Sequence, residues 1–313
     1  MKQYVFGVDI GGTTVKIGLF RTSGELLEKW EIPTRTEQDG AFILPDIANS
    51  IRAKALEREI APDDVEGVGV GVPGPVSDDG VVHRCVNLGW GVMNVETVLS
   101  GLTGWKVRAG NDANVAAMGE KWQGSGKGYR SLVVVTLGTG VGGGVIVNGS
   151  VLGGFHGAGG EIGHITVNPA ETEVCGCGKK GCLEQYTSAT GIARLANRYL
   201  ASHDTDSVLR TMTEITAKDV FDAAKTGDPV SLAVVESFGE ILGRTLAGIA
   251  CTLDPEVFII GGGVSKAGSI VTDIIKKYYT KFAFHASRDT EFRIATLGND
   301  AGIYGGAGLL LGG

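Results

Sequence analysis

The chain has no basic cluster, no long hydrophobic segment and few cysteines. Its formal net charge is -7, and no run of Lys and Arg offsets that charge locally, so a nucleic acid is not an expected partner. The first residues, MKQYVFGVDI, lack the apolar core of a signal peptide. No uninterrupted apolar stretch reaches the roughly 18 residues that a membrane-spanning helix needs. We therefore expect a cytoplasmic protein with no membrane partner.

Glycine is the residue in excess, with 51 among 313 residues, roughly twice the average usage. Many glycines follow short β-branched runs, at residues 4–14, 68–76, 132–145 and 257–265. Buried strands that end in glycine turns allow the backbone to approach a ligand closely. Helix-like segments lie between them, at 43–60, 112–123, 189–202, 217–226, 230–252 and 268–281. This alternation predicts an α/β protein, and its length is sufficient for two lobes with a cleft.

Two glycine-rich segments resemble each other. Residues 5–20 and 133–147 each have the pattern of a strand, a glycine turn and a second strand. Two facing hairpins of this kind can hold a nucleotide's phosphates through backbone N–H groups, with further donors from Thr13, Thr14, Lys16 and Thr139. Two unrelated tight hairpins are the alternative. Neither segment matches GxxxxGK[ST], or GxGxxG followed by a helix, so a P-loop or a Rossmann site is disfavoured.

Three acidic or amide residues stand at the ends of predicted strands. Asp9 ends the first strand and is placed to hold Mg²⁺ beside the phosphates, or alternatively to cap the turn. Asn111 and Asp112 come just before a predicted helix, where simple N-capping is the alternative interpretation. Functionally, Asp112 at a lobe junction can accept the proton of an attacking hydroxyl, and Asn111 can hold a second hydroxyl.

The most specific pattern is a histidine followed by three closely spaced cysteines. His164, Cys175, Cys177 and Cys182 have the spacing H-x10-C-x-C-x4-C, which is not that of a zinc finger. One imidazole and three thiolates predict a closed tetrahedral Zn²⁺ site, and four protein ligands leave no position for catalysis. Such a structural site would tie His164 and Glu161 to the loop that carries Glu184.

Five motifs together resemble the ROK family of sugar kinases and repressors, in particular its bacterial glucokinase branch. They are DIGGTTVK, NDANVAAMGE, LGTGVGGGVIVNG, GAGGEIGH and CGCGKKGCLEQYTS, and the resemblance spans residues 4–313. It implies an actin-like, hexokinase-like ATPase fold of two lobes, with ATP and sugar in a central cleft. The lobes expected are 1–110, with a C-terminal helix at 299–313 packed on it, and 111–298.

The resemblance also implies roles for individual residues. Asp112 matches the catalytic base. The implied sugar contacts are Asn111, Asp112, Glu161, His164 and Glu184, with weaker contacts from Gly74 and Asn87. The first phosphate segment is Asp9, Gly11, Gly12, Thr13, Thr14 and Lys16, the second is Gly138, Thr139 and Gly140, and the adenosine loop is Gly261, Gly262 and Gly263. His164 then has two tasks, with one ring nitrogen on zinc and the other free for a sugar hydroxyl.

We expect an ATP- and Mg²⁺-dependent kinase that phosphorylates glucose, because a pocket with so many polar groups favours an aldose held at several hydroxyls. Mannose, fructose, allose and N-acetylmannosamine remain alternative substrates. A sugar-sensing repressor is a further alternative, but such repressors carry an N-terminal helix-turn-helix, and here the first phosphate strand begins at residue 4. The resemblance suggests a homodimer or a homotetramer.

Overall fold

The fold is known from a computed structural model that describes residues 2–83 and 85–311. Within them, backbone packing separates two compact units, each discontinuous in sequence. The first comprises the described residues of Met1–Arg130, Gly144–Gly160 and Thr296–Gly313, and the second comprises Ser131–Gly143 and Glu161–Ala295.

The strands carry the glycine turns that the sequence indicated. In chain order they are β1 (Tyr4–Ile10), β2 (Thr14–Arg21), β3 (Leu26–Pro33), β4 (Val65–Val72), β5 (Val81–Val82), β6 (Met93–Asn94), β7 (Val107–Asn111), β8 (Leu132–Leu137), β9 (Val141–Val147), β10 (Ser150–Val151), β11 (Val257–Gly261) and β12 (Glu291–Ile294).

The helices follow the amphipathic segments between these strands. They are α1 (Glu37–Gly40), α2 (Ile43–Glu57), α3 (Val95–Thr103), α4 (Asp112–Gln123), α5 (Glu184–Thr187), α6 (Ala189–Ser202), α7 (Ala217–Lys225), α8 (Pro229–Leu253), α9 (Ser269–Phe282) and α10 (Ala301–Leu311). Each of the six predicted helical segments corresponds to one of these helices, with ends that differ by up to about three residues.

The four-residue helices α1 and α5 were not predicted from the sequence, and neither was the longer α3. It has only nine residues, but it carries both terminal signals: the Asn94 side chain accepts a hydrogen bond from the Thr97 N–H, and Gly104 ends the helix in the left-handed conformation with φ +80°. An N-cap asparagine and a C-terminal glycine at this spacing are the features that would have identified it.

The two five-stranded sheets have the same plan. One has the order β3-β2-β1-β4-β7 and the other β10-β9-β8-β11-β12. In the first, β2 is antiparallel to β1 and β3, whereas β4 is parallel to β1 and β7. In the second, β9 and β10 are antiparallel, and β11 is parallel to β8 and β12. The repeat predicted from the glycine-rich segments is thus confirmed as a repeat of sheet topology.

The C-terminal helix α10 lies directly on the first sheet. A Cβ built on Gly7 of β1 would be 1.8 Å from the Ile303 carbonyl oxygen, and one on Gly69 of β4 would be 1.7 Å from the Gly306 carbonyl oxygen. Glycine is required at both strand positions because any side chain would displace the helix.

The boundaries of the two compact units differ from those of the expected lobes, 1–110 and 111–298. The division into these lobes remains a prediction. Helix α4 and residues 144–160 belong to the first compact unit, although the expected division assigned both to the lobe 111–298. The cause is tertiary packing that the sequence does not display: a Cβ on Gly305 of α10 would be 1.7 Å from the Val115 carbonyl oxygen of α4. Among the described residues, no helix is long and apolar enough to span a membrane.

Candidate functional site

In the first unit, the predicted phosphate segment is the turn of the β1–β2 hairpin. Asp9 and Lys16 face each other in the strand register, and the Gly11 N–H donates to the Thr14 carbonyl oxygen over 3.0 Å. The Lys16 ammonium donates to the Asn299 carbonyl oxygen over 3.2 Å. A Cβ added to Gly12 would meet no atom within 4 Å, and the φ of Gly12 is not positive. Neither packing nor backbone conformation therefore requires glycine there, and the backbone is open to the close approach of a ligand.

The surroundings of the Asp9 side chain disfavour the charged form of its carboxylate. Burial raises the pKa of Asp9 above its ordinary value of 3.8, Lys16 opposes that rise, and the negative charge of Asp112 adds to it. The structure thus brings together Asp9, Lys16 and Asp112, three of the residues predicted for phosphoryl transfer. A divalent cation beside Asp9 would relieve both the burial and the repulsion, so the site fits Mg²⁺.

Asn111 and Asp112 start helix α4, as the capping interpretation predicted. Asn111 Oδ1 accepts from the Ala113 N–H over 3.0 Å and the Asn114 N–H over 3.3 Å, and its amide nitrogen donates to the Gly74 carbonyl oxygen over 3.1 Å. One amide hydrogen of Asn111 remains for a ligand. Asp112 is exposed, and its Oδ1 accepts from the Ala113 N–H over 2.8 Å. The capping interpretation does not exclude the functional one, because Asn111 caps the helix while the Asp112 side chain stays exposed.

Asn87 lies apart from these residues in the chain, in a short 3₁₀ turn, Val86–Leu88, with its side chain exposed. Trp90 beside it is buried in the core, and its indole N–H donates to the Gly40 carbonyl oxygen over 3.2 Å. The turn is therefore anchored by Trp90, while Asn87 itself is open to a ligand.

In the second unit, Gly138, Thr139 and Gly140 form the turn between β8 and β9. Nothing lies within 4 Å of a Cβ on Gly138, as with Gly12. Glu184, the first residue of α5, packs against the other end of the turn, where its Oε2 accepts from the Val141 N–H over 3.0 Å. Two predicted elements, the second phosphate segment and a sugar contact, are thus in direct contact.

The predicted adenosine loop opens on a cavity of about 360 Å³. Gly262 has φ +80°, and a Cβ at this position would meet the Leu137 backbone. Gly263 has open space instead and lines the cavity with Thr216, Phe221 and Lys266. A volume of this size, with mixed apolar and polar walls, suits a heterocyclic base.

The predicted metal ligands converge. The ligand atoms of His164, Cys175, Cys177 and Cys182 all lie within 4.8 Å of one another. Cys177 Sγ and Cys182 Sγ are 3.6 Å apart, and Cys175 Sγ is 3.8 Å from His164 Nδ1. A tetrahedral Zn–S site has edges of about 3.8 Å, whereas a disulfide bond measures about 2.05 Å. The donor set and its spacing fit Zn²⁺.

Nδ1 of His164 faces Cys175, and the second ring nitrogen faces a carboxylate. That atom, Nε2, lies 4.0 Å from Glu161 Oε2, and both side chains are partly exposed. The prediction that one ring nitrogen serves the metal while the other is available to a ligand agrees with this geometry.

A charged network that the sequence did not indicate holds the cysteine loop. Glu171 is 6% exposed, and its carboxylate accepts from both Arg198 and Arg194 and from the Tyr186 hydroxyl. Hydrogen bonds from Arg198 hold the pKa of Glu171 far below its ordinary value, despite burial. The network fixes the loop before Cys175 against α6. Two arginines four residues apart on α6 were the available signal, but their partner could not be identified without the fold.

A second missed residue is Glu120, in the motif NDANVAAMGE. It is 2% exposed. Its carboxylate accepts from the backbone N–H groups of Ser125, Thr296 and Leu297 over 2.9, 3.1 and 2.9 Å. The last two residues lead into α10, so Glu120 fixes the start of the helix that packs on Asp9.

Comparison with known proteins agrees with these features. The family model described as the ROK family matches residues 5–312. A glucokinase of Halalkalibacterium halodurans is 44% identical over 313 residues, covering 98% of this chain and 95% of that protein. A glucokinase of Thermotoga maritima is 36% identical over 315 residues, with 99% and 98% covered.

A solved structure shows the same fold. It is a ROK family glucokinase from Streptomyces griseus in complex with glucose and AMPPNP, with a TM-score of 0.74, 32% identity and 98% of each chain covered. The predicted fold class, a two-lobe actin-like ATPase fold of mixed α/β type, is confirmed. The duplicated sheets, the Cys₃His cluster and the full-length family match lead to one conclusion: this chain belongs to the ROK family.

Proposed function

We propose that the protein is a glucokinase, which transfers the γ-phosphoryl group of ATP to the 6-hydroxyl of glucose. The observation that carries the proposal is the 44% identity to a glucokinase across 98% of the chain. The 6-hydroxyl is the one primary alcohol of the sugar and the least hindered nucleophile.

Asp112 is the proposed base. In the reaction, the glucose 6-hydroxyl oxygen forms a bond to the γ-phosphorus, the bond from that phosphorus to the bridging oxygen of ATP breaks, and Asp112 takes the hydroxyl proton. Its exposure allows the substrate to reach it. ADP leaves with the bridging oxygen.

The phosphates are assigned to the two hairpin turns. Asp9 would hold Mg²⁺, which supplies the counter-charge for the phosphoryl oxygens. Lys16 adds a positive charge, and the turns Gly11 to Thr14 and Gly138 to Gly140 offer backbone N–H groups other than those of Gly11 and Gly138, which donate to the Thr14 and Gly140 carbonyl oxygens. The adenosine is assigned to the Gly261–Gly263 loop and its cavity, where Gly263 has room for close contact.

The sugar is assigned to Asn111, Glu161, His164 and Glu184, with Gly74 and Asn87 as weaker contacts. His164, Cys175, Cys177 and Cys182 would hold a structural Zn²⁺, which fixes the orientation of the His164 ring. We further propose a cytoplasmic location and a homodimer or homotetramer as the assembly.

A direct competition tests the substrate. With glucose and N-acetylmannosamine at equal concentration, ATP and Mg²⁺, the main product should be glucose 6-phosphate. In a pocket that gives each sugar hydroxyl a hydrogen-bond partner, a sugar changed at carbon 2 should bind less tightly. It leaves a buried polar group of the pocket unpaired, which costs about 1 to 3 kcal/mol. Dominance of the N-acetylated product would refute the glucose assignment and leave a sugar kinase. Absence of any phosphorylated sugar across a hexose panel would favour the non-catalytic, sugar-sensing alternative.

A further inference from the structure

We propose that Glu184 positions the Gly138–Gly140 turn, so that nucleotide affinity depends on the cysteine loop even when no sugar is present. This inference rests on the proposed function, in which the turn holds phosphates and Glu184 contacts the sugar. Here Glu184 has an additional task as a positioning residue for the other substrate.

The first support is the contact between Glu184 and the turn. Its Oε2 accepts the Val141 N–H over 3.0 Å at the point where β9 begins. A Cβ on Gly140 would lie 2.2 Å from the same oxygen, so glycine at 140 is what admits the carboxylate. A charged acceptor on a backbone N–H is among the stronger hydrogen bonds in proteins. Glu184 therefore fixes one end of the turn.

The second support is the other oxygen of the same carboxylate. Glu184 Oε1 lies 3.7 Å from Cys175 Sγ, and Cys175 Sγ lies 3.8 Å from His164 Nδ1. One side chain thus touches both the turn and the cluster of metal ligands. All of these residues belong to the second unit.

The third support is the chain that follows Glu184. The Ala189 N–H donates to the Gly138 carbonyl oxygen over 2.7 Å, and the Thr190 hydroxyl donates to the Thr139 carbonyl oxygen over 3.1 Å. The turn is consequently tied at residues 138, 139 and 141 by the segment that leaves the cysteine loop. Fixing a turn before binding preserves affinity, because a mobile turn loses entropy when the ligand orders it.

The experiment measures the affinity of Mg²⁺–AMPPNP for the zinc-loaded protein by calorimetry, without sugar. Glu184→Ala should weaken it roughly tenfold or more, the effect expected for a lost charged hydrogen bond. Glu184→Gln should stay within about threefold of wild type, because its amide oxygen can still accept the Val141 N–H. Both variants should lose glucose affinity. Glu214→Gln, at an exposed carboxylate of the same compact unit, is the matched control and should change neither affinity.

The outcomes distinguish the positioning role of Glu184 from its sugar contact in the proposed function. Unchanged AMPPNP affinity in Glu184→Ala overturns the positioning role, even if glucose affinity falls as the proposed function requires. Reduced AMPPNP affinity with normal glucose affinity supports the positioning role and refutes the sugar contact. An equal loss of AMPPNP affinity in the Ala and Gln variants also overturns the inference, because the retained acceptor should rescue binding.

Two further arms address the metal and the folding of the variants. Removing zinc from the wild-type protein with a chelator should weaken AMPPNP binding roughly tenfold, and adding Zn²⁺ back should restore it. Thr190→Val removes only the hydroxyl contact of an exposed residue and should weaken binding about threefold. If Glu184→Ala does not fold, an AMPPNP affinity unaffected by both zinc removal and Thr190→Val overturns the proposal.

Discussion

The α-carbon of Gly302 lies against the carboxylate of Asp9. A Cβ on Gly302 would come within 2.5 Å of Asp9 Cγ and 2.6 Å of Oδ2, distances that no pair of non-bonded atoms tolerates. The C-terminal helix therefore forms one wall of the proposed magnesium position, with Gly302 as the residue that makes room for it.

Gly302→Ala should impair Mg²⁺ use without unfolding the protein. Alanine is favoured over glycine in a helix by up to about 1 kcal/mol, so the helix itself is not harmed. The displaced Asp9 carboxylate should lower kcat by up to roughly 10²-fold, as small misplacements of catalytic groups do. The measurement is the rate against Mg²⁺ concentration. Gly101→Ala, at an open position in α3, is the control and should leave that curve unchanged. An identical curve for Gly302→Ala would remove Asp9 from the magnesium role.

Asp112→Asn should separate binding from chemistry. The amide still accepts the Ala113 N–H at the start of α4, so the fold and most of the glucose affinity should persist. It cannot take a proton, and kcat should fall by roughly 10² or more. Steady-state rates and glucose calorimetry measure the two effects, with Asp63→Asn as an exposed control. A variant with wild-type kcat would show that another group is the base.

Cys177→Ala should remove zinc from the protein. Metal analysis of the wild type should find one zinc ion per chain, because four ligand atoms converge within 4.8 Å. The variant should bind none, unfold at a lower temperature and show a higher glucose KM, since Glu161, His164 and Glu184 lie on the loop that the metal braces. Cys251→Ala is the matched control, because Cys251 is exposed and outside the cluster. Fully active wild-type enzyme without zinc would contradict this prediction.

The sequence predicted those features whose determinants are close together along the chain. The metal ligands Cys175, Cys177 and Cys182 are separated by only a few residues. Glycine turns are therefore sufficient to bring their thiols together, and the site could be predicted from the sequence. The N-cap of α4 is likewise local, because Asn111 and the N–H groups it accepts are adjacent. The duplicated hairpins were predictable for the same reason.

Features that depend on tertiary packing were not predictable from local patterns. Gly302 lies against Asp9, and the Glu120 carboxylate accepts the Leu297 N–H. In each pair the two residues are far apart in the sequence, and the residues around one partner do not indicate the other. The assignment of α4 to the first unit has the same origin, since it depends on the close contact between Gly305 and Val115. The sequence motif contained Glu120, but only the fold reveals the N–H groups that surround it.

The raised pKa of Asp9 predicts a conflict between stability and function. A carboxyl group with a raised pKa favours the folded state below its ordinary pKa of 3.8, and that contribution is lost as the pH rises through the folded-state value. At neutral pH, in the absence of Mg²⁺, the buried charge is thus destabilising. Asp9→Asn should unfold at a higher temperature than wild type at pH 7, and the difference should shrink towards pH 4. Thermal unfolding over this range checks it, and a variant less stable than wild type at pH 7 would contradict it.

Glu120→Gln should destabilise the protein although the side chain keeps its shape. The carboxylate is buried, and its two oxygens accept N–H groups from Ser125, Thr296 and Leu297. An amide has one acceptor oxygen, so its NH₂ group must face at least one backbone donor, and the loss should be about 1 to 3 kcal/mol. Chemical denaturation measures it, with the exposed Glu37→Gln as control. Because Leu297 leads into α10, the Mg²⁺ dependence of the rate should shift in the same direction as in Gly302→Ala. A destabilised variant with unchanged Mg²⁺ dependence would show that Glu120 supports the fold but not the position of Asp9.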